Sequence, residues 1–80
     1  MYKITKVDFV YFYSNMVSKE LLYEYLIGSE CNSSGILKLV LKPKHKLTQT
    51  GPFMVPPIRW LESFEYYAEF EIICQCEKIK

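Results

Sequence analysis

The alternation of apolar and polar positions predicts most of the regular structure. Residues 2–13 are rich in β-branched and aromatic side chains and contain neither glycine nor proline, which predicts a strand. Residues 36–42 alternate between leucines and a mixed row and predict a second strand. Between these two segments, Ser18 is a candidate N-cap and Gly28 a stop signal, so a short amphipathic helix through Ile27 is predicted. Its inward side is predicted to hold Leu21, Leu22, Tyr25 and Leu26, and its solvent-facing side Lys19, Glu20 and Glu24.

The second half of the chain is less regular. Residues 64–77 alternate without a break between an apolar row and a largely acidic row, and they predict a third strand that must bend, carry a bulge or project into a partner. A helical turn is expected at 58–63, although 58–68 also fits a helix. The polar residues 30–35 predict a turn, and the prolines within 43–57 predict a long irregular loop.

These elements predict an α+β fold in one domain, residues 1–80. The arrangement is a small β-α-β-β domain, with a three-stranded sheet, antiparallel or mixed, and one helix on one face. The inner face is predicted to hold the leucines of the second strand, the even residues of the last strand and the odd residues of the first. Beside charged residues such as Asp8, the outer face then carries uncovered apolar side chains, which favour an interaction surface and a homodimer. These residues are Ile4, Val10, Phe12, Ile36, Val40, Tyr67 and Ile73.

Composition narrows the class of protein. Half of the residues are hydrophobic and 24% are charged, which is typical of a compact globule. No apolar run approaches the length of a membrane span, and the N-terminal residues do not resemble a signal peptide, so a cytoplasmic protein that does not enter membranes is expected. A net charge of +1 gives no global field that would attract nucleic acid.

Candidate chemistry is sparse. Cys74 and Cys76 share one face of the predicted strand with geometry poor for bridging each other, so buried, apolar roles are expected for both rather than a disulfide scaffold. Adding Cys31 and His45 completes a formal set of four zinc ligands, but their spacing is unlike that of zinc sites. His45 also has no apparent nucleophile beside it. We therefore expect no metal, no cofactor and no enzymatic activity.

The favoured interpretation is a protein-binding module of inhibitor type, encoded by a phage or another mobile element. It would act through its sheet face, a strand edge and the proline-rich loop, whose apolar tip has no place in the predicted core. The glutamates of the last strand would form an acidic docking surface. The residues predicted to bind a protein partner are Phe12, Val40, Phe53, Met54, Val55, Tyr67, Glu69 and Glu71.

The alternative is a nucleic-acid or nucleotide binder. A basic segment near the middle of the chain lies close to exposed aromatic residues, and lysines interleaved with aromatics can neutralise phosphates and stack bases. The nearly neutral total charge and the acidic last strand argue against it. The residues that would bind the anion are Lys38, Lys42, Lys44, His45 and Lys46.

Overall fold

The structure, a computed structural model, describes residues 1–14, 18–42, 48–52 and 68–79. The described residues form five strands and one helix. In chain order these are β1 (Tyr2–Ser14), α1 (Lys19–Leu26), β2 (Glu30–Cys31), β3 (Gly35–Leu41), β4 (Thr48–Thr50) and β5 (Ala68–Lys78). The predicted strands at 2–13 and 36–42 and the predicted helix are confirmed. The predicted turn at 58–63 and residues 64–67 lie outside the described residues.

The sheet has the strand order β2-β1-β5-β3-β4, and every neighbouring pair is antiparallel. The predicted three-stranded α+β domain is therefore wrong. The described part of the chain is mostly β, a curled five-stranded sheet or half-barrel with one short helix. The two additional strands, β2 and β4, lie where a turn and an irregular loop were predicted. They have only two and three residues, and the long strands beside them determine their pairing.

The end of β4 depends on a glycine. Gly51 has a φ of 107°, a conformation that side chains with a Cβ rarely adopt. A Cβ at this position would also overlap the carbonyl oxygen of Ile36 on β3. Glycine therefore allows the turn after β4 to lie directly against the neighbouring strand.

The helix is capped as its sequence predicts. The backbone N–H of Leu21 donates a hydrogen bond of 3.1 Å to Oγ of Ser18, and Gly28 follows the helix with a φ of 82°. Leu22 and Leu26 are buried, whereas Leu21 and Tyr25, also predicted to point inward, are exposed. The helix therefore contributes a narrow apolar stripe to the core.

The core lies on the concave side of the sheet. The inward rows predicted for β3 and β5 are confirmed, because Leu37, Leu39, Phe70 and Ile72 are almost completely buried. The buried side chains are Ile4, Val7, Leu22, Leu26, Cys31, Leu37, Leu39, Phe70, Ile72, Cys74 and Cys76.

The first strand departs from simple alternation at two points. Its register against β5 shifts between Ile4 and Lys6 and again between Phe9 and Tyr11. Each irregularity reverses the face to which the following residues point. Ile4 is consequently buried, and Phe12 packs against the core, so the prediction that both lie on the outer face is wrong. Tyr11, predicted to point inward, is exposed.

A disulfide joins Cys31 on β2 to Cys76 on β5. Two strands that flank a third lie roughly 9.6 Å apart in a flat sheet. The Cα atoms of Cys31 and Cys76 are only 6.4 Å apart, so the sheet is strongly curled at this end. The expectation that Cys76 is simply a small buried hydrophobic residue is therefore wrong. Cys74, two residues earlier, is the free buried thiol that was predicted.

Candidate functional site

The outer face of the sheet carries fewer apolar side chains than predicted, because Ile4 and Phe12 lie on the inner face. Val40 lies opposite Glu71 in the pairing of β3 with β5, and Lys38 lies opposite Ile73. Nζ of Lys38 is 3.7 Å from a carboxylate oxygen of Glu71. Apolar and charged side chains therefore alternate across this face. The continuous apolar patch expected there is interrupted.

Phe12 belongs to a different surface. Its ring stacks on that of Phe70, with 5.8 Å between centroids and 21° between the planes, and Phe9 meets it edge to face at 5.7 Å. These contacts place Phe12 on the concave side, where it is half-buried against the core. A partner on the outer face would not meet this ring, so the structure separates Phe12 from Val40 and Glu71.

The remaining predicted site residues are spread along the chain. Glu69 lies opposite Tyr13 in the sheet, and Lys42 is exposed directly after β3. Because Lys38 pairs with Glu71, it is less available to a phosphate. No group of three potential metal ligands occurs among the described residues. The other predicted residues lie outside the described residues, and their roles stay predictions: Lys44, His45, Lys46, Phe53, Met54, Val55 and Tyr67.

The most distinctive feature is an open edge of β1. β5 covers one edge of this 13-residue strand, but β2 pairs with only Tyr2 and Lys3 on the other. The backbone of Ile4 then exchanges hydrogen bonds of 2.9 Å with Ser29 and Gly28. Beyond Ile4, no strand within residues 1–14, 18–42, 48–52 and 68–79 pairs with this edge. An unpaired edge presents a row of backbone donors and acceptors that another chain can use.

A groove of about 630 Å³ follows the open edge. In the sheet, Val7 and Phe9 are aligned with the inward residues Cys74 and Ile72, whereas Asp8 is aligned with the outward Ile73. The three consecutive lining residues of β1 therefore alternate between the two faces, which places the groove along the strand edge, where the two faces meet. Its lining residues are Val7, Asp8, Phe9, Lys19, Glu20, Tyr23 and Glu24.

The helix forms the opposite wall. At the start of α1, Nζ of Lys19 lies 5.3 Å from the centroid of the Phe9 ring, a cation–π contact. Just after the helix, Ser29 is hydrogen bonded to Ile4. The helix therefore runs antiparallel to β1, from Phe9 back towards Ile4.

The groove carries an excess of negative charge. Among the described lining residues, Asp8, Glu20 and Glu24 contribute three exposed carboxylates, against the single ammonium group of Lys19. Lys6 lies 3.9 Å from Asp8, but both side chains are more than 60% exposed, and such ion pairs are weak in water. The local potential favours a cationic ligand.

The free thiol does not offer an alternative chemistry. Burial, with a smaller contribution from the charge of Asp8, raises the pKa of Cys74 to about 12. Thiolate is the nucleophilic form of cysteine, so Cys74 stays protonated and unreactive at neutral pH. Among the described residues, the groove beside β1 is therefore a better candidate site than this thiol.

The groove was not predicted, because its lining residues form no recognisable binding motif in the sequence. Lys19, Glu20 and Glu24 were interpreted as the solvent-facing side of an amphipathic helix. Asp8 was interpreted as an outer-face charge of the sheet. The sequence did contain one indication of an open edge, the length of β1. A short polar segment cannot pair with all 13 residues of this strand.

Fold and site together define a small, mostly β protein with an open strand edge beside a helix. The chain belongs to a family described as a family of unknown function (DUF5474), whose model matches residues 1–77. It is 54% identical over 80 residues to a Kluyveromyces lactis protein named uncharacterized killer plasmid pGKl-2 protein 8, and the match covers all of this chain and 84% of that relative. The relative is encoded on a killer plasmid, which is consistent with a small protein of a mobile element. No solved structure matches the chain.

No helix in the described residues is both long enough and apolar enough to cross a membrane.

Proposed function

We propose that this chain is a non-enzymatic protein-binding module of a plasmid-type mobile element, acting in the cytoplasm. It binds an extended segment of a protein partner as an additional strand on the open edge of β1. The observation that supports this function is the groove of about 630 Å³ that follows the edge between β1 and α1. An inhibitor that blocks its target in this way needs no catalytic group.

The mode of binding follows from the backbone. An extended peptide beside β1 would pair with the edge N–H and C=O groups that no strand of the described residues covers, and it would place alternate side chains against Val7 and Phe9 on one side and Asp8 on the other. An extended chain suits this edge better than a second helix, because the backbone groups of a helix are already hydrogen bonded to one another and cannot pair with a strand.

Hydrogen exchange of backbone amides tests this proposal. A blocked peptide of alternating Gln and Val is a neutral, extended probe. Binding should slow exchange at amides between Val7 and Phe12 of β1, because the new inter-strand hydrogen bonds protect them. A control is the short edge strand β4, whose amides should be unaffected. Protection confined to β4, or no protection at saturating peptide, would contradict strand addition at β1.

A homodimer stays part of the proposal as a separate expectation. The outer face retains exposed apolar side chains, including Val10 and Ile36 at 56% and 57% exposure. Two copies could bury these side chains without occupying the groove.

A further inference from the structure

We infer that the segment bound in the groove is basic, with Lys or Arg at every second position facing the helix. This inference rests on the proposed strand addition and adds the class of partner to it. The three groove carboxylates carry it, together with their spacing along the helix.

The spacing of two of these carboxylates matches an extended chain. Glu20 and Glu24 are four residues apart in α1, which separates them by about 6 Å along the helix axis. In a strand, residues i and i+2 point to the same side and lie about 6.7 Å apart. Two basic side chains at alternate positions of an added strand can therefore meet Glu20 and Glu24 in register.

The third carboxylate, that of Asp8, lies on the other side of the added strand. Asp8 points to the outer face of the sheet, so it would meet the residue between the two basic positions. Tyr23 lies between Glu20 and Glu24 in the helix and offers an aromatic surface to the aliphatic stems of Lys or Arg. A cation at the central position would add to the attraction.

The single base of the groove does not cancel this preference. Lys19 already lies over the ring of Phe9, at the end of the groove near the start of α1. An acidic segment would bring its carboxylates against Glu20 and Glu24, and like charges at close range disfavour binding. Charge therefore selects between segments that the backbone edge alone would accept equally.

The experiment compares three blocked eight-residue peptides in which Val alternates with Lys, Gln or Glu, titrated by calorimetry at low and high salt. The Lys peptide should bind roughly two- to tenfold more tightly than the Gln peptide, and the Glu peptide more weakly than either. The advantage of the Lys peptide should shrink as salt rises. Equal affinity of all three would overturn the charge inference while leaving strand addition intact.

Variants of Glu20 and Glu24 test whether these residues cause the preference for the Lys peptide. Glu20→Gln with Glu24→Gln should remove most of the preference for the Lys peptide and leave binding of the Gln peptide unchanged. Glu30→Gln is the matched control, because Glu30 is an exposed glutamate on β2 outside the groove lining. A preference that survives the double change, or that is lost equally in the control, would refute the assignment to α1.

One further arm separates the two proposals. A Lys peptide with N-methyl groups on alternate amides keeps its charge but loses hydrogen-bond donors on one edge. Placing the N-methyl groups on either set of alternate residues gives two such peptides. If both bind as well as the unmodified peptide, the proposed strand addition is wrong even if charge matters. If the protein alone is dimeric and its β1 amides are already protected, a second copy occupies the edge and the peptide proposal fails.

Discussion

Breaking the Cys31–Cys76 disulfide should remove a large share of the stability of this protein. The bond closes a loop with a sequence separation of 45 residues. Loop-closure entropy for that length corresponds to about 4 kcal/mol at 25 °C. A chain of this size has a total free energy of unfolding on the order of 4–12 kcal/mol. The loss is therefore comparable with the entire stability at the lower end of that range.

The assay is urea denaturation followed by circular dichroism, with and without a phosphine reductant. We expect the free energy of unfolding to fall by roughly 2–5 kcal/mol on reduction. The double variant Cys31→Ala with Cys76→Ala should show a similar loss that reductant does not increase. Cys74→Ala is the control, since it removes a buried sulfur without breaking a bond and should cost roughly 1 kcal/mol.

Either of two results would contradict stabilisation by the Cys31–Cys76 disulfide. If the unreduced protein does not have the mass expected after loss of two hydrogens, the bond is absent in solution. If reduction is complete but stability changes by less than about 1 kcal/mol, loop closure does not stabilise this fold. Because disulfides rarely persist in the reducing cytoplasm, the proposed cytoplasmic function requires the reduced form to stay folded, and a reduced form that is unfolded without urea would contradict that location.

The core, the Cys74 thiol and the outer face each give one further prediction. Phe70→Ala should cost about 3–5 kcal/mol in urea denaturation, because the ring is fully buried and stacks on Phe12; a loss below about 1 kcal/mol would contradict this packing. Burial raises the pKa of Cys74 from the ordinary thiol value of 9.0 to about 12 in the folded state. Above pH 9, the unfolded state therefore releases a proton that the folded state keeps. Stability should then fall with rising pH by up to about 1.4 kcal/mol per unit up to about pH 12, and Cys74→Ala should remove that component of the slope; equal slopes in both proteins would refute it. Light scattering at about 100 μM should give twice the chain mass of 9.5 kDa and a monomer for Val40→Asp, and a monomeric wild type would refute the dimer.

Local patterns predicted those elements whose signal is complete within a few residues. The alternation in β3 and β5 gave the correct inward rows because both faces of each strand keep one environment along the described length. The helix was predicted from Ser18 and Gly28, since capping is a local interaction. The β1 strand and the inward positions of Val7 and Phe9 were predicted. The faces of Ile4, Tyr11 and Phe12 were not, because the two irregularities of β1 arise from pairing with β5.

The rest depends on contacts between distant parts of the chain. β2 and β4 are too short to carry a strand signal and form only beside longer strands. The pairing of Cys31 with Cys76 depends on the curl of the sheet, which no spacing in the sequence reveals. The groove likewise needs both α1 and the uncovered length of β1. A segment-by-segment interpretation therefore placed the predicted binding residues mainly on the outer face, and it named a strand edge without identifying the edge of β1.

Nuclear Overhauser contacts between the bound Lys–Val peptide and the protein are the most direct test of strand addition. Strand addition predicts short backbone proton distances between the peptide and the segment from Val7 to Phe9, with side-chain contacts to Tyr23. Contacts centred instead on Val40 and Glu71 would place binding on the outer face of the sheet. That result would contradict strand addition at the open edge of β1.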